Sequence, residues 1–257
     1  MGALRLIYRL PWMLLHLLGG LPPTLLSFAP SLRVIKLRGV PLNHFMMHWW
    51  SAMTLRIFGL RCSVKGQFIP GAQLVVANHI SWLDIQLLHS ISPMSFVAKA
   101  EIKKWPIAGF MASVGESVFH HRGSHDSATG VSTVMAERLR QGAKVAIFPE
   151  GGILPGEGVK RFHARLFAAA IETGVPVQPV MIRYLRDGRH YPGMTFLPGE
   201  HFVANFFRLL GQKPCVAEMY VLPLIDSAGQ QRRELAQASE LAVRAAYDSE
   251  PAEPGNG

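Results

Sequence analysis

The chain has 257 residues, enough for one large domain or a domain with an appendage. Apolar residues make up 49% of it against 17% charged, the mean hydropathy is +0.19, and the formal net charge is +9 with a pI near 9.9. This balance leans apolar for a soluble enzyme and calls for an anionic partner, and the two cysteines, Cys62 and Cys215, exclude a disulfide framework or a cysteine-rich zinc site.

Residues 4–29 are mostly Leu, Ile, Pro and Phe, but Arg5, Arg9 and His16 intrude, and Gly19-Gly20 with Pro22-Pro23 break the run. That falls short of the roughly 20 continuous apolar residues of a spanning helix. No small-x-small cleavage site follows, so a signal peptide is not expected. A second apolar segment, 45–60, carries Trp49 and Trp50, with Arg56 and Arg61 near its end. Adjacent tryptophans suit a helix lying at headgroup level, and the basic linker (Arg33, Lys36, Arg38) suits an anionic surface. Residues 1–60 are therefore expected to form membrane-anchoring hydrophobic or amphipathic helices; burial of the same helices in the core is the alternative.

Beyond residue 60, short apolar runs alternate with amphipathic stretches. Strands are expected at 74–77, 95–98, 117–119, 145–148, 176–183 and 217–222. Helices are expected at 83–91, 126–141 (Val131, Val134, Met135 and Leu139 inward, Gly142 as stop), 162–173 and 232–247. Strands separated by helices predict a layered α/β domain over 61–248. Residues 249–257, rich in Glu, Pro and Gly, read as a disordered tail.

The strand at 74–77 runs into Asn78-His79-Ile80-Ser81-Trp82-Leu83-Asp84. Across a strand-to-helix turn this spacing can join imidazole and carboxylate, the Asp accepting one ring N–H and leaving the other nitrogen as a general base. The spacing alone is cheap: His121 and Asp126 repeat it, and a satisfied surface histidine is the alternative for either copy. Only His79 ends an apolar strand, where α/β proteins place ligands. The strand at 145–148 also ends in Pro149-Glu150-Gly151-Gly152, where glycines allow close backbone approach to a bound group or form an ordinary turn.

These blocks resemble the signatures of the glycerolphosphate acyltransferase superfamily, closest to the 1-acyl-glycerol-3-phosphate acyltransferases. The likeness rests on Asn78-His79-x4-Asp84, Phe96-Val97-Ala98-Lys99 with Glu101 and Pro106, Val118-Phe119-His120-His121-Arg122, Phe148-Pro149-Glu150-Gly151, and Val175-Pro176-Val177-Gln178-Pro179-Val180, in the family's order between about residues 60 and 185. It implies a layered αβα acyltransferase domain with an N-terminal membrane-associating helical segment. It implies that His79 takes the proton from an acceptor hydroxyl and that Asp84 orients it. The hydroxyl then attacks an acyl thioester directly, and no G-x-S-x-G nucleophile is present. Arg122 would hold the acceptor phosphate, a task for a planar, always-charged fork. Asn78, Lys99, Glu150, Gly151 and Gly152 would complete the substrate-binding set. The chain departs from the family where His121 replaces Asp, where Gly152-Ile153 replaces Thr, and where Phe162-His163-Ala164-Arg165 replaces Phe-Lys-x-Gly. The departures cluster in the acceptor-recognition blocks while the His79/Asp84 pair is intact, and Arg161 and Arg165 are further candidates for phosphate binding.

Lysophosphatidate is the expected acceptor and acyl-coenzyme A or acyl carrier protein the donor substrate, at the cytoplasmic face of a membrane; another lysolipid such as lyso-ornithine lipid is the alternative. No cofactor, metal or nucleic acid is expected: the basic residues form no aromatic-interleaved stripe, and His120, His121 and His125 lack a completing ligand set. A non-catalytic membrane-surface scaffold is the rival outside enzymology, and the intact His79 and Asp84 speak against it.

Overall fold

The computed structural model describes residues 2–32, 34–99, 118–120, 125–153 and 158–249. The strands β3 (Leu60–Lys65), β4 (Gln73–Ala77), β5 (Ser95–Lys99), β6 (Val118–His120), β7 (Lys144–Ile147), β8 (Val177–Arg186) and β10 (Cys215–Val221) form one sheet in the order β3-β10-β8-β4-β7-β5-β6. The strands β8, β4, β7, β5 and β6 run parallel. At one edge β10 is antiparallel to β8, and β3 is parallel to β10. A two-residue strand, β9 (Arg189–His190), folds back on β8.

Every residue of β4 is buried, which explains why a strand covered on both faces reads as an unbroken apolar run. Its side chains still alternate. Val75 and Ala77 enter a core shared with α1 (Gly2–Leu15), α3 (Leu42–Ile57), α4 (Leu83–His89) and α7 (Phe202–Leu210). Leu74 and Val76 enter a second core with α5 (His125–Arg140), α6 (Ala168–Thr173) and α8 (Arg232–Asp248). The architecture is therefore a three-layer αβα sandwich.

Several elements differ from expectation, each for a local reason. The helix expected from 162 begins as a 3₁₀ turn, Ala164–Phe167, before α6. The preceding N–H groups are drawn elsewhere, that of Phe162 to Glu240 Oε2 (2.9 Å) and that of His163 to the Pro149 carbonyl (2.8 Å). Strand β8 passes through Arg183 rather than ending there. Its buried guanidinium donates to Glu218 Oε2 (2.6 Å), the Tyr220 hydroxyl (3.2 Å) and the carbonyls of Tyr247 and Ser249, pinning the C-terminal end of α8. Val134, expected inside, is exposed. Strand β3 and helix α7 were not anticipated: β3 is a polar edge strand paired with β10 about 150 residues away, and α7 is a short apolar run without a side-chain cap.

The N-terminal segment consists of α1, a π turn (His16–Gly20), α2 (Leu21–Leu26), a hairpin of β1 (Lys36–Leu37) and β2 (Val40–Pro41), and α3. Its inner face joins the first core through Met13, Leu55 and Phe58. Two of the polar residues that interrupt its apolar run are buried anchors. Arg9 Nη1 lies within 3.1 Å of the carbonyls of Phe58, Leu210 and Gln212, at the C-terminal ends of α3 and α7. His16 stacks on Trp50 with centroids 3.9 Å apart and sits 3.1 Å from Thr54 Oγ1; burial lowers its pKa. Trp50, expected at headgroup level, is instead 4% exposed inside this stack, and only Trp49 of the pair reaches the surface. The outer face carries Leu4, Ile7, Trp12 and Leu18, all more than half exposed, with Val34 near the hairpin. Among the described residues no helix is long and apolar enough to cross a membrane.

If Arg9 is the anchor its contacts indicate, Arg9→Met keeps the stem but leaves buried carbonyls at two helix ends without their donor. The expected loss is about 2–4 kcal/mol, read as a fall in Tm of roughly 5–15 °C for a chain of this size. Arg61→Met, at an exposed position, should leave the thermal unfolding curve in place.

Candidate active site

The parallel strands β4 and β7 are direct neighbours, so the segments leaving their carboxyl ends meet. One carries His79 and the other Glu150, and both wall a cavity of about 100 Å³ together with Lys160, Tyr184, His190 and Tyr191.

The five-residue spacing from His79 to Asp84 works because the loop closes around the carboxylate. Asp84 is wholly buried in the first turn of α4. Its Oδ2 accepts the main-chain N–H groups of Ile80 (2.7 Å) and Ser81 (2.9 Å), and lies 2.9 Å from His79 Nδ1. An oxygen already accepting two N–H groups is an acceptor, so Nδ1 donates to it and Nε2 carries the lone pair. The ring is further fixed by stacking on Phe148, with centroids 3.8 Å apart and planes at 11°. The other carboxylate oxygen, Oδ1, accepts the Tyr184 hydroxyl at 2.6 Å.

Glu150 acts from beneath. Its Oε2 accepts the His79 N–H (2.8 Å) and its Oε1 the Lys160 N–H (2.7 Å), so one carboxylate joins the histidine loop to the segment after residue 157. Burial raises its pKa, and the two main-chain donors pull the other way. Gly151 and Gly152 have φ of +82° and +149°, conformations that side chains rarely adopt. They reverse the chain here and are not among the residues that wall the cavity.

Asn78 is 1% exposed. Its amide donates to the Ile182 carbonyl (2.7 Å) and accepts the Ile182 N–H (2.8 Å), prolonging the join between β4 and β8. Lys99 closes β5, in register with His120 of β6. Arg122 lies outside the described residues, as does His121, whereas Val118–His120 of the same block form β6.

Sequence reasoning missed Lys160, Tyr184, His190 and Tyr191 as wall residues. Two signals were available. Tyr184 shares the alternation of Val180 and Ile182 and so faces the same layer as Asp84. Asp187-Gly188, both at positive φ, make a two-residue hairpin turn that folds His190 back beside β8.

The model of the family described as Acyltransferase matches residues 61–183. The lyso-ornithine lipid O-acyltransferase of Pseudomonas aeruginosa is 38% identical over 206 residues, 80% of each chain. The chain belongs to the acyltransferase family. The 1-acyl-sn-glycerol-3-phosphate acyltransferase of Neisseria gonorrhoeae is 41% identical over 177 residues, 68% of this chain and 69% of that one. The crystal structure of the 1-acyl-sn-glycerophosphate acyltransferase from Thermotoga maritima superposes with a TM-score of 0.70 at 22% identity, covering 96% of this chain and 95% of the other. This acyltransferase therefore shares the layered fold of that protein along nearly its full length, and it is an O-acyltransferase in class.

The bridging role of Glu150 predicts the outcome of Glu150→Gln. A carboxamide offers one acceptor oxygen to two N–H groups that now face two. Turnover of this acyltransferase should fall roughly 10- to 100-fold through displacement of the histidine loop; steady-state kinetics on the folded variant check this.

Proposed function

We propose that this enzyme transfers a fatty acyl group from an acyl thioester, acyl-coenzyme A or acyl carrier protein, to the free hydroxyl of lysophosphatidate at a membrane surface. The observation that carries the reading is the 2.9 Å contact of His79 Nδ1 with Asp84, which leaves Nε2 the free ring nitrogen at the cavity wall. In the first step Nε2 takes the proton of the acceptor hydroxyl while its oxygen bonds to the thioester carbonyl carbon. Asp84 stabilises the imidazolium and holds the ring. In the second step the tetrahedral intermediate collapses, the carbon–sulfur bond breaks, and the departing thiolate takes the proton from Nε2. No covalent acyl-enzyme is needed. Arg122 is assigned to the acceptor phosphate, and Glu150 to the shape of the acceptor side.

A second reading, lyso-ornithine lipid as acceptor, is favoured by a specific observation. Two relatives named for that activity match the chain over a longer span, 80% in Pseudomonas aeruginosa and 90% at 32% identity in Rhodobacter capsulatus, than the 68% matched by the gonococcal lysophosphatidate-type enzyme, although a third, in Rhizobium meliloti, matches 59%. The departures at His121, Gly152-Ile153 and His163 fall in the acceptor blocks, in line with an altered headgroup.

Residues 1–60 are assigned to membrane attachment at the interface. The exposed apolar face of α1 with Leu18, Val34 beside the hairpin that carries the cations Lys36 and Arg38, and the net charge of +9 all suit an anionic lipid surface.

His79→Ala should lower turnover about 10² to 10⁴-fold in a chain that still folds; retention of more than about a tenth of wild-type turnover would remove His79 as the base. Side-by-side kcat/KM values for lysophosphatidate and lyso-ornithine lipid decide the acceptor. Arg122→Ala should raise the KM for lysophosphatidate through loss of a charge-assisted pair of roughly 1.5–3 kcal/mol, with Arg122→Lys recovering only part.

Sedimentation with anionic vesicles tests the attachment. Replacing Trp12 and Leu18 by Glu should leave the protein in the supernatant, whereas co-sedimentation equal to wild type would exclude that face.

A further inference from the structure

We infer that Tyr184 is a positioning residue of the acyl transfer: its hydroxyl, bonded to the far oxygen of Asp84, sets how strongly that carboxylate acts on His79. The inference rests on the assignment of His79 as base. The two oxygens of Asp84 are divided between two tasks. Oδ2 takes the histidine and two main-chain N–H groups, all from the loop 79–81, while Oδ1 takes a single donor, Tyr184, from a strand 100 residues away. At 2.6 Å this is the shortest of the four contacts, in the range of a charge-assisted O–H···O⁻ bond. Asp84 is 0% and Tyr184 2% exposed, so water does not compete for Oδ1.

The placement is over-determined by the sheet. Asn78 locks to Ile182 through both halves of its amide, fixing the register of β8 beside the histidine loop, and Tyr184 follows two residues on, on the same face. Burial first, and the adjacent carboxylate second, hold the Tyr184 phenol well above the ordinary tyrosine range, so it remains a donor. Other titratable groups around the pair are Glu150 below the loop, Lys160, His190, Tyr191 and Tyr247 on the cavity wall, and Cys62 and Cys215 beside Tyr184. Among the described residues Tyr184 alone donates to Oδ1 through its side chain.

A donor on Oδ1 spreads the negative charge of Asp84 away from Oδ2 and weakens the pull on the histidine N–H. Without it, the carboxylate leans harder on the ring and the imidazolium forms more readily. The free base then persists only at higher pH. Tyr184→Phe removes the hydroxyl while keeping the ring volume. The acid limb of kcat/KM should move up by about one pH unit, which is about tenfold in rate below the limb, with recovery of turnover at alkaline pH and little change in acceptor KM. Site-specific 3-fluorotyrosine at position 184, a stronger donor of nearly the same size, should move the limb the opposite way.

In the Asp84→Asn background the tyrosine change should have no further effect on the limb. A purely structural role would lower turnover equally at all pH values, and an unmoved limb in both variants would overturn the inference. Should Tyr184→Phe unfold, the fluorinated protein alone decides. Failure of the inference is distinguishable from failure of the underlying assignment: in the first case His79→Ala remains inactive while the limb stays put, and in the second His79→Ala itself turns over.

Discussion

A carboxylate removed from water has to be met by donors, and Asp84 organises this molecule because it is wholly buried and draws its donors from two parts of the chain about 100 residues apart. The loop 79–81 wraps one oxygen, and β8 delivers a hydroxyl to the other. Leaving any of these donors out would strand negative charge in the first core, between α4 and the sheet. The same satisfaction of Asp84 that stabilises the loop fixes the tautomer of His79, so the folding requirement and the chemical one coincide at a single residue.

The second constraint is the covering of the sheet on both faces. Because β4, β7 and β8 are buried on both sides, their order cannot slip without moving apolar side chains between two separate cores. That rigidity places the ends of β4 and β7 side by side, and Glu150 converts the adjacency into a bond by accepting N–H groups from both the histidine loop and residue 160. A buried acid whose ionisation burial opposes is held there by main-chain donors, which is how a strained electrostatic position persists beside a reaction centre.

The N-terminal segment shows how one stretch can serve two surroundings. Arg9 and His16 turn inward, one to helix-end carbonyls and the other to a tryptophan stack, with Met13 between them in the core, while Trp12, Leu14 and Leu15 turn outward. A polar residue in an apolar run is thereby an anchor to the protein rather than an interruption of a membrane segment. The inner half belongs to the fold, and the outer half carries the exposed side chains Leu4, Ile7, Trp12 and Leu18.

Much of this was legible in the residues. The pairing of His79 with Asp84 is local, closed within five positions, and the ends of β4 and β7 announced themselves as apolar strands running into polar and glycine-rich turns. The alternating strands and helices sufficed for a layered α/β domain, because a strand covered on both faces leaves a continuous apolar run. What a linear pattern could not contain was neighbourhood. Periodicity tells which face a side chain takes, not which strand lies beside it, so the bond of Tyr184 to Asp84, the lock of Asn78 on Ile182 and the bridge from Glu150 to Lys160 appear only once the strand order β8-β4-β7 is set. The same holds for Arg183 and Arg9, which read as charges at the ends or interruptions of apolar runs and are in fact buried, because only the packed structure brings a carboxylate or a row of helix-end carbonyls within reach of their guanidinium groups. The sequence by itself determined the kinds of chemistry present and the faces they occupy; the tertiary structure decided which of them touch, since contacts across a sheet join residues separated by about 100 positions and are selected by packing rather than by spacing.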